Sequence, residues 1–151
     1  MRVSIIGQGY VGLTLALYAA ETHQVFGFDL NENVVRNLNN GISHIEGVGG
    51  DLILKRKESG NYLATSNPEL IDGSEIVVIA VPTPLDSNKK PDLSYIKSAC
   101  EIIGTNLHSP ALIVNESTSY PGTVRNLIYP LISRYNPNLK HLYSVSPERV
   151  D

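Results

Sequence analysis

Short apolar runs alternate along this chain with stretches whose apolar positions recur at helical spacing. RVSII at 2–6 predicts a strand, and VGLTLALYAAE at 11–21 predicts a helix rich in Ala and Leu. QVFGFD at 24–29 predicts the second strand. Asn31 is placed to cap a helix over 31–40 that Gly41 closes. Glycines make 41–50 a loop, after which a helix is expected over 51–59 and a short strand over 61–65. EIVVIAV at 75–81 is almost continuously apolar, as a central parallel strand buried on both faces requires. Proline breaks 82–92 into a loop. Leu93, Ile96, Cys100, Ile103 and Leu107 line one face of a helix over 93–107. ALIVNES at 111–117 is the fifth strand, Pro121 suits the first turn of a helix reaching about Tyr135, and Pro130 should kink it. HLYSVS at 141–146 is the sixth strand. Strands alternating with helices predict an α/β fold. The expectation is a Rossmann-type doubly wound parallel sheet of about six strands, with helices on both faces and nothing left over for a second domain.

Composition narrows the function classes. The 151 residues are about one domain's worth, with 42% hydrophobic and 18% charged residues. A net charge of −3 gives no basic footprint for nucleic acid. No apolar run approaches the roughly 20 residues of a membrane span. MRVSIIGQG breaks into glycine too early for a signal peptide. With one cysteine no internal disulfide forms, which is compatible with a reducing cytosol. The expected location is therefore cytoplasmic, with no membrane and no nucleic-acid partner.

GQGYVG at 7–12 follows the first strand and opens the first helix, so Gly7, Gly9 and Gly12 match G-x-G-x-x-G in its proper context. Gly7 allows the tight turn, Gly9 lets backbone approach a pyrophosphate, and Gly12 lets helix and strand pack closely. The helix then presents free N–H groups and its positive dipole end to the phosphates. Asp29 ends the second strand about 20 residues on, where a carboxylate accepts from both ribose hydroxyls. It would repel a 2′-phosphate, and DLNEN offers no arginine directly after it, so NAD is favoured over NADP. The competing reading is a bare glycine bend with a surface aspartate.

Four strings go further: GQGYVGL at 7–13, VPTP at 81–84 with PDLSYI at 91–96, ESTSYPGT at 116–123, and SPERVD at 146–151. Together they resemble the N-terminal NAD-binding domain of the UDP-glucose/GDP-mannose dehydrogenase family. The YPGT and SPERVD variants look most like the branch that oxidises UDP-N-acetylhexosamines, UDP-N-acetylglucosamine or UDP-N-acetylmannosamine. The resemblance spans essentially the whole chain. It implies oxidation of the C6 alcohol of a UDP-sugar to an aldehyde and then an acid by two NAD, for cell-surface polysaccharide precursors. The family's nucleophilic cysteine lies in later domains, so residues 1–151 are expected to be the NAD-binding part of a longer protein, inactive alone. The full-length protein is expected to form a homodimer or higher oligomer. By the same resemblance Gly7, Gly9, Tyr10, Val11 and Gly12 line the pyrophosphate and Asp29 holds the ribose. Val81, Pro82 and Thr83 end the fourth strand beside the cofactor. Thr118 contacts NAD and helps position a catalytic water, Glu148 lies by the reacting sugar as a second catalytic residue that takes part in proton handling or substrate binding, and Arg149 and Val150 continue that substrate-facing segment. One departure is Val34, where the family often carries a basic residue five positions after the ribose acid.

Other residues invite duller readings. Cys100 falls at core spacing between Ile96 and Ile103, so packing is expected rather than nucleophilic chemistry. His23, His44, His108 and His141 have no zinc-ligand spacing, so no metal site is expected. His44 and Glu46 lie in a glycine-rich loop able to approach a ligand, and Lys55, Arg56 and Lys57 read as a solvated helix face. Thr118 can also cap a helix, and Glu148 can be plain surface. Two other functions stay open: a free-standing NAD-sensing module without catalysis, and a dehydrogenase of another small substrate such as a hydroxyacid.

Overall fold

A computed structural model describes residues 1–146. Its single sheet contains β1 (Arg2–Ile6), β2 (Gln24–Phe28), β3 (Tyr62–Thr65), β4 (Ile76–Ile79), β5 (Leu112–Asn115) and β6 (Leu142–Val145). All pairings are parallel, in the order β3-β2-β1-β4-β5-β6. The helices are α1 (Tyr10–Ala19), α2 (Glu32–Asn39), α3 (Gly50–Glu58), α4 (Ser94–Asn106) and α5 (Tyr129–Ser133). The strand order reverses direction between β1 and β4, which opens a crevice beyond their carboxyl ends.

The inner strands β2, β1, β4 and β5 share their residues between two cores, one on each face of the sheet. Val3, Ile5, Val25 and Val78 pack with Leu13, Ala16 and Leu17 of α1, Leu38 of α2 and Ile53 of α3. Ile6, Phe28, Val77, Ile79 and Ile113 pack on the opposite face with Ile96, Cys100 and Ile103 of α4 and Ile132 of α5. Burying one such Leu or Ile contributes about 1.5–3 kcal/mol. Two cores of this kind make the sheet a rigid platform, and only its carboxyl-end loops are free to carry chemistry.

Asn31 caps α2 as expected, its Oδ1 accepting from the N–H groups of Asn33 and Val34, and Gly41 follows the helix at φ +72°. Other boundaries differ from the sequence reading. β4 and β5 are shorter than 75–81 and 111–117, because the N–H groups of Glu116 and Ser117 both converge on the Ile79 carbonyl and end the ladder's alternation. Pro121 does not open a helix: Pro121–Gly122 is a turn with Gly122 at φ +91°, and the helical stretch starts at Val124. The kink expected at Pro130 is a π-helical turn, Val124–Ile128, with the Tyr129 N–H bonded to the Val124 carbonyl five residues back. A 3₁₀ turn, Pro68–Ile71, was not legible beforehand. Arg56 is not simply solvated, since its guanidinium bonds the Leu17 carbonyl and the Glu21 carboxylate and ties α3 to α1. Among the described residues no helix is long and apolar enough to cross a membrane.

Candidate cofactor site

The glycine turn leaves β1 at Gly7, whose φ of +95° is a left-handed conformation that favours glycine. A Cβ there would also lie 2.6 Å from the Ala80 carbonyl oxygen. At Gly12 a Cβ would overlap the Gly7 carbonyl oxygen and approach Ala80 Cβ to 3.4 Å, so helix and turn fit only without it. Gly9 differs from both. Its φ of −73° suits any residue, and a Cβ there would meet no protein atom within 4 Å. Gly9 is also the N-cap of α1 and supplies no side-chain cap, so the helix's first N–H groups face open space.

Asp29 sits one residue beyond β2, and its own N–H bonds the Thr65 carbonyl. Its Oδ2 accepts from the Gln8 N–H at 2.9 Å and its Oδ1 from the Asn31 N–H at 2.9 Å. Both oxygens are thereby oriented, and their remaining lone pairs stay free to accept from a ligand.

Two clefts meet at Gly9. The first, about 400 Å³, holds Gly7, Gly9, Asp29, Leu30, Val34 and His44 among its walls, closed by Tyr95, Ala99 and Ile102 from α4. It is mostly apolar with Asp29 as its anionic group, and Val34 contributes an apolar wall where a cation was in question. The second, about 240 Å³, runs from Gly9, Tyr10 and Val11 past Val81, Pro82 and Thr83 to Glu116, Ser117 and Thr118. Every cofactor residue proposed from the sequence lies along these two clefts, except Gly12, which is buried behind the turn. Glu148, Arg149 and Val150 lie outside the described residues.

Thr118 lies three residues past the end of β5 and is exposed to the second cleft. What holds it there was missed from the sequence. Buried Ser117 donates its hydroxyl to the Val81 carbonyl at 2.8 Å, which joins the end of β5 to the segment carrying Thr83. Buried Asn115 donates to the Ser117 carbonyl at 2.9 Å and sits 3.3 Å from Ser119 Oγ. The available signal was two polar residues, Asn115 and Ser117, at the end of an apolar run. Gln8, between the first two glycines of the motif, is also buried and hydrogen-bonded, and nothing in the sequence around it signals this. Cys100 is fully buried, and burial pushes its thiol up to about 12, which keeps it protonated and inert. His44 is the one histidine that borders the first cleft.

Comparison with known proteins accounts for this arrangement. The family model described as UDP-glucose/GDP-mannose dehydrogenase family, NAD binding domain, matches residues 1–151. The UDP-N-acetyl-D-glucosamine 6-dehydrogenase of Salmonella typhi is 35% identical over 155 residues, covering 100% of this chain and 36% of that protein. The UDP-N-acetyl-D-mannosamine dehydrogenase of Pyrococcus horikoshii is 33% identical over 154 residues, covering 99% of this chain and 37% of that protein. A crystal structure of a GDP-mannose dehydrogenase ternary complex from Pseudomonas aeruginosa superposes with a TM-score of 0.93 at 30% identity, covering 100% of this chain and 37% of that one. Lactate dehydrogenase from Eimeria maxima, 15% identical with a TM-score of 0.65 and covering 96% of this chain and 43% of that one, shares the fold alone. The chain thus spans little more than a third of the curated relatives it matches. With the family model matched from end to end, the chain belongs to the UDP-glucose/GDP-mannose dehydrogenase family, as its NAD-binding domain.

Proposed function

We propose that this domain holds NAD for a nucleotide-sugar dehydrogenase that oxidises the C6 alcohol of a UDP-N-acetylhexosamine to the uronic acid with two NAD. Its product would serve as a precursor of cell-surface polysaccharide. The whole protein is proposed to be a cytoplasmic homodimer or higher oligomer, with its sugar site and nucleophilic cysteine in domains beyond this one. NAD, when bound, supplies the hydride acceptor.

The observation that carries the reading is Gly9. Neither its conformation nor its protein neighbours require glycine, so the missing side chain is explained by a ligand that occupies the space. Gly7, Gly9, Tyr10, Val11 and Gly12 would form or support the pyrophosphate cradle, with the α1 N–H groups as donors. Asp29 would accept from the ribose hydroxyls in the first cleft. Val81, Pro82, Thr83 and Thr118 would border the nicotinamide in the second. Thr118, exposed and lining that cleft, is proposed to orient a water, while Glu148, Arg149 and Val150 would meet the sugar.

Curated relatives named for UDP-N-acetylglucosamine and UDP-N-acetylmannosamine support this choice of sugar. The test is turnover by the whole protein that contains this domain, followed as NADH absorbance with UDP-N-acetylglucosamine, UDP-N-acetylmannosamine, UDP-glucose and GDP-mannose. The expected result is two NADH per UDP-N-acetylhexosamine and little with the others. One NADH per sugar, or preference for GDP-mannose, would contradict the reading. The isolated chain should bind NAD without turnover.

A further inference from the structure

Gln8 has no part in the roles assigned above, yet it is fully buried at the centre of the glycine turn. A buried amide is tolerated only when its donors and acceptor are satisfied. Here Nε2 donates to the Ile5 and Gly7 carbonyls, both at 3.1 Å, and Oε1 accepts from the Tyr62 hydroxyl at 2.9 Å. Tyr62 belongs to β3, two strands away, and is itself 2% exposed. The space between them exists because β2 carries glycine at 27. A Cβ there would stand 2.6 Å from Gln8 Cδ and 2.9 Å from the Tyr62 hydroxyl oxygen. Three residues from three places in the sequence therefore build one buried contact.

The backbone of the same residue points the other way, its N–H donating to Asp29 Oδ2 at 2.9 Å. Fixing the Gln8 side chain therefore fixes the peptide that aims the Asp29 carboxylate. We propose that Gln8, Tyr62 and Gly27 form a positioning unit that sets the geometry of the phosphate turn and the direction of Asp29, and thereby the preference for NAD over NADP. The side chains of Gln8 and Tyr62 are buried, and the unit acts through Asp29 and the Gly7 carbonyl. Burial first, and the Asp29 charge second, raise the Tyr62 hydroxyl above its ordinary range, so it remains a donor throughout the physiological pH range. With the hydroxyl always protonated, the Gln8 amide has one stable orientation, oxygen toward Tyr62 and nitrogen toward the turn.

The inference rests on the domain's binding of NAD, and its test separates the two. The 151-residue chain and its Gln8→Ala, Tyr62→Phe and Gly27→Ala variants are titrated by calorimetry with NAD and with NADP, and each is melted to confirm folding. Gln8→Ala and Tyr62→Phe should weaken NAD at least fivefold and narrow the NAD-to-NADP affinity ratio. Gly27→Ala should do the same, and in the Gly27→Ala/Gln8→Ala pair the two losses should not add, because the collision has been removed. Tyr62→Phe removes one oxygen and decides the matter if Gln8→Ala does not fold. Lower melting temperatures with unchanged Kd values and an unchanged ratio would overturn the inference, leaving the unit only structural. Failure of the unaltered chain to bind NAD would overturn the cofactor assignment and the inference with it.

Discussion

Gly9→Ala and Gly12→Ala make the same chemical change three residues apart, and the structure assigns them opposite outcomes. At position 9 the backbone is extended, at φ −73° and ψ −163°, and the added methyl meets no protein atom. Restricting the unfolded chain favours alanine by about 0.4–1 kcal/mol. Losing the preferred glycine N-cap costs a similar amount. The net change should stay within about 1 kcal/mol, or about 4 °C in melting temperature for a domain of this size. At position 12 the methyl would overlap the Gly7 carbonyl oxygen and stand 3.0 Å from its carbon, both backbone atoms that β1 and β2 hold in place. Overpacking costs about 1–3 kcal/mol where side chains can adjust. Here backbone must move, so about 3 kcal/mol or more is expected, a fall of roughly 6–12 °C. NAD calorimetry should separate them again. Gly9→Ala fills the space assigned to the pyrophosphate and should weaken NAD at least tenfold, about 1.4 kcal/mol, in a protein that melts almost normally. Unchanged NAD affinity in Gly9→Ala would refute the assignment of that space, and wild-type melting in Gly12→Ala would refute the packing argument.

Other outcomes follow from buried groups. Cys100, with its thiol pushed up to about 12, should resist a thiol reagent at pH 8 in the native chain and react stoichiometrically in denaturant; fast native labelling would show that the α4 face opens. Burial lowers the pKa of His141, whose Nδ1 accepts from the Ala111 N–H. Its contribution to stability is therefore complete above the unfolded value near pH 6.5 and is lost as pH falls below that through the lower folded value. His141→Gln should flatten the decline in melting temperature between pH 7 and 5, and an unchanged decline would remove His141 from the explanation. Asn31→Ala deletes the α2 cap and should cost about 1 kcal/mol by denaturant titration, whereas no loss would mean the cap bonds are replaced.

The strands and the doubly wound fold class were legible because the strands are apolar runs of the right length that alternate with helices repeating their apolar positions. The glycine turn and Asp29 were legible for a different reason, since they match the G-x-G-x-x-G motif and the acidic position about 20 residues on. Less could be read where the determinant is a partner distant in sequence. Gln8 is a spacer until Tyr62 and Gly27, 54 and 19 residues away, are seen to enclose it. Ser117 likewise gains meaning only when the Val81 carbonyl is found beside it. The ends of β4 and β5 were overextended because apolar residues continue past the point where both following N–H groups turn onto the Ile79 carbonyl. Hydrophobicity does not register that change in backbone direction.

The most direct test of the central claim is calorimetric titration of this chain with NAD and, in parallel, with NADP. The account predicts one NAD per chain, with NADP at least tenfold weaker because Asp29 opposes a 2′-phosphate. Binding of neither, or equal binding of both, would contradict it.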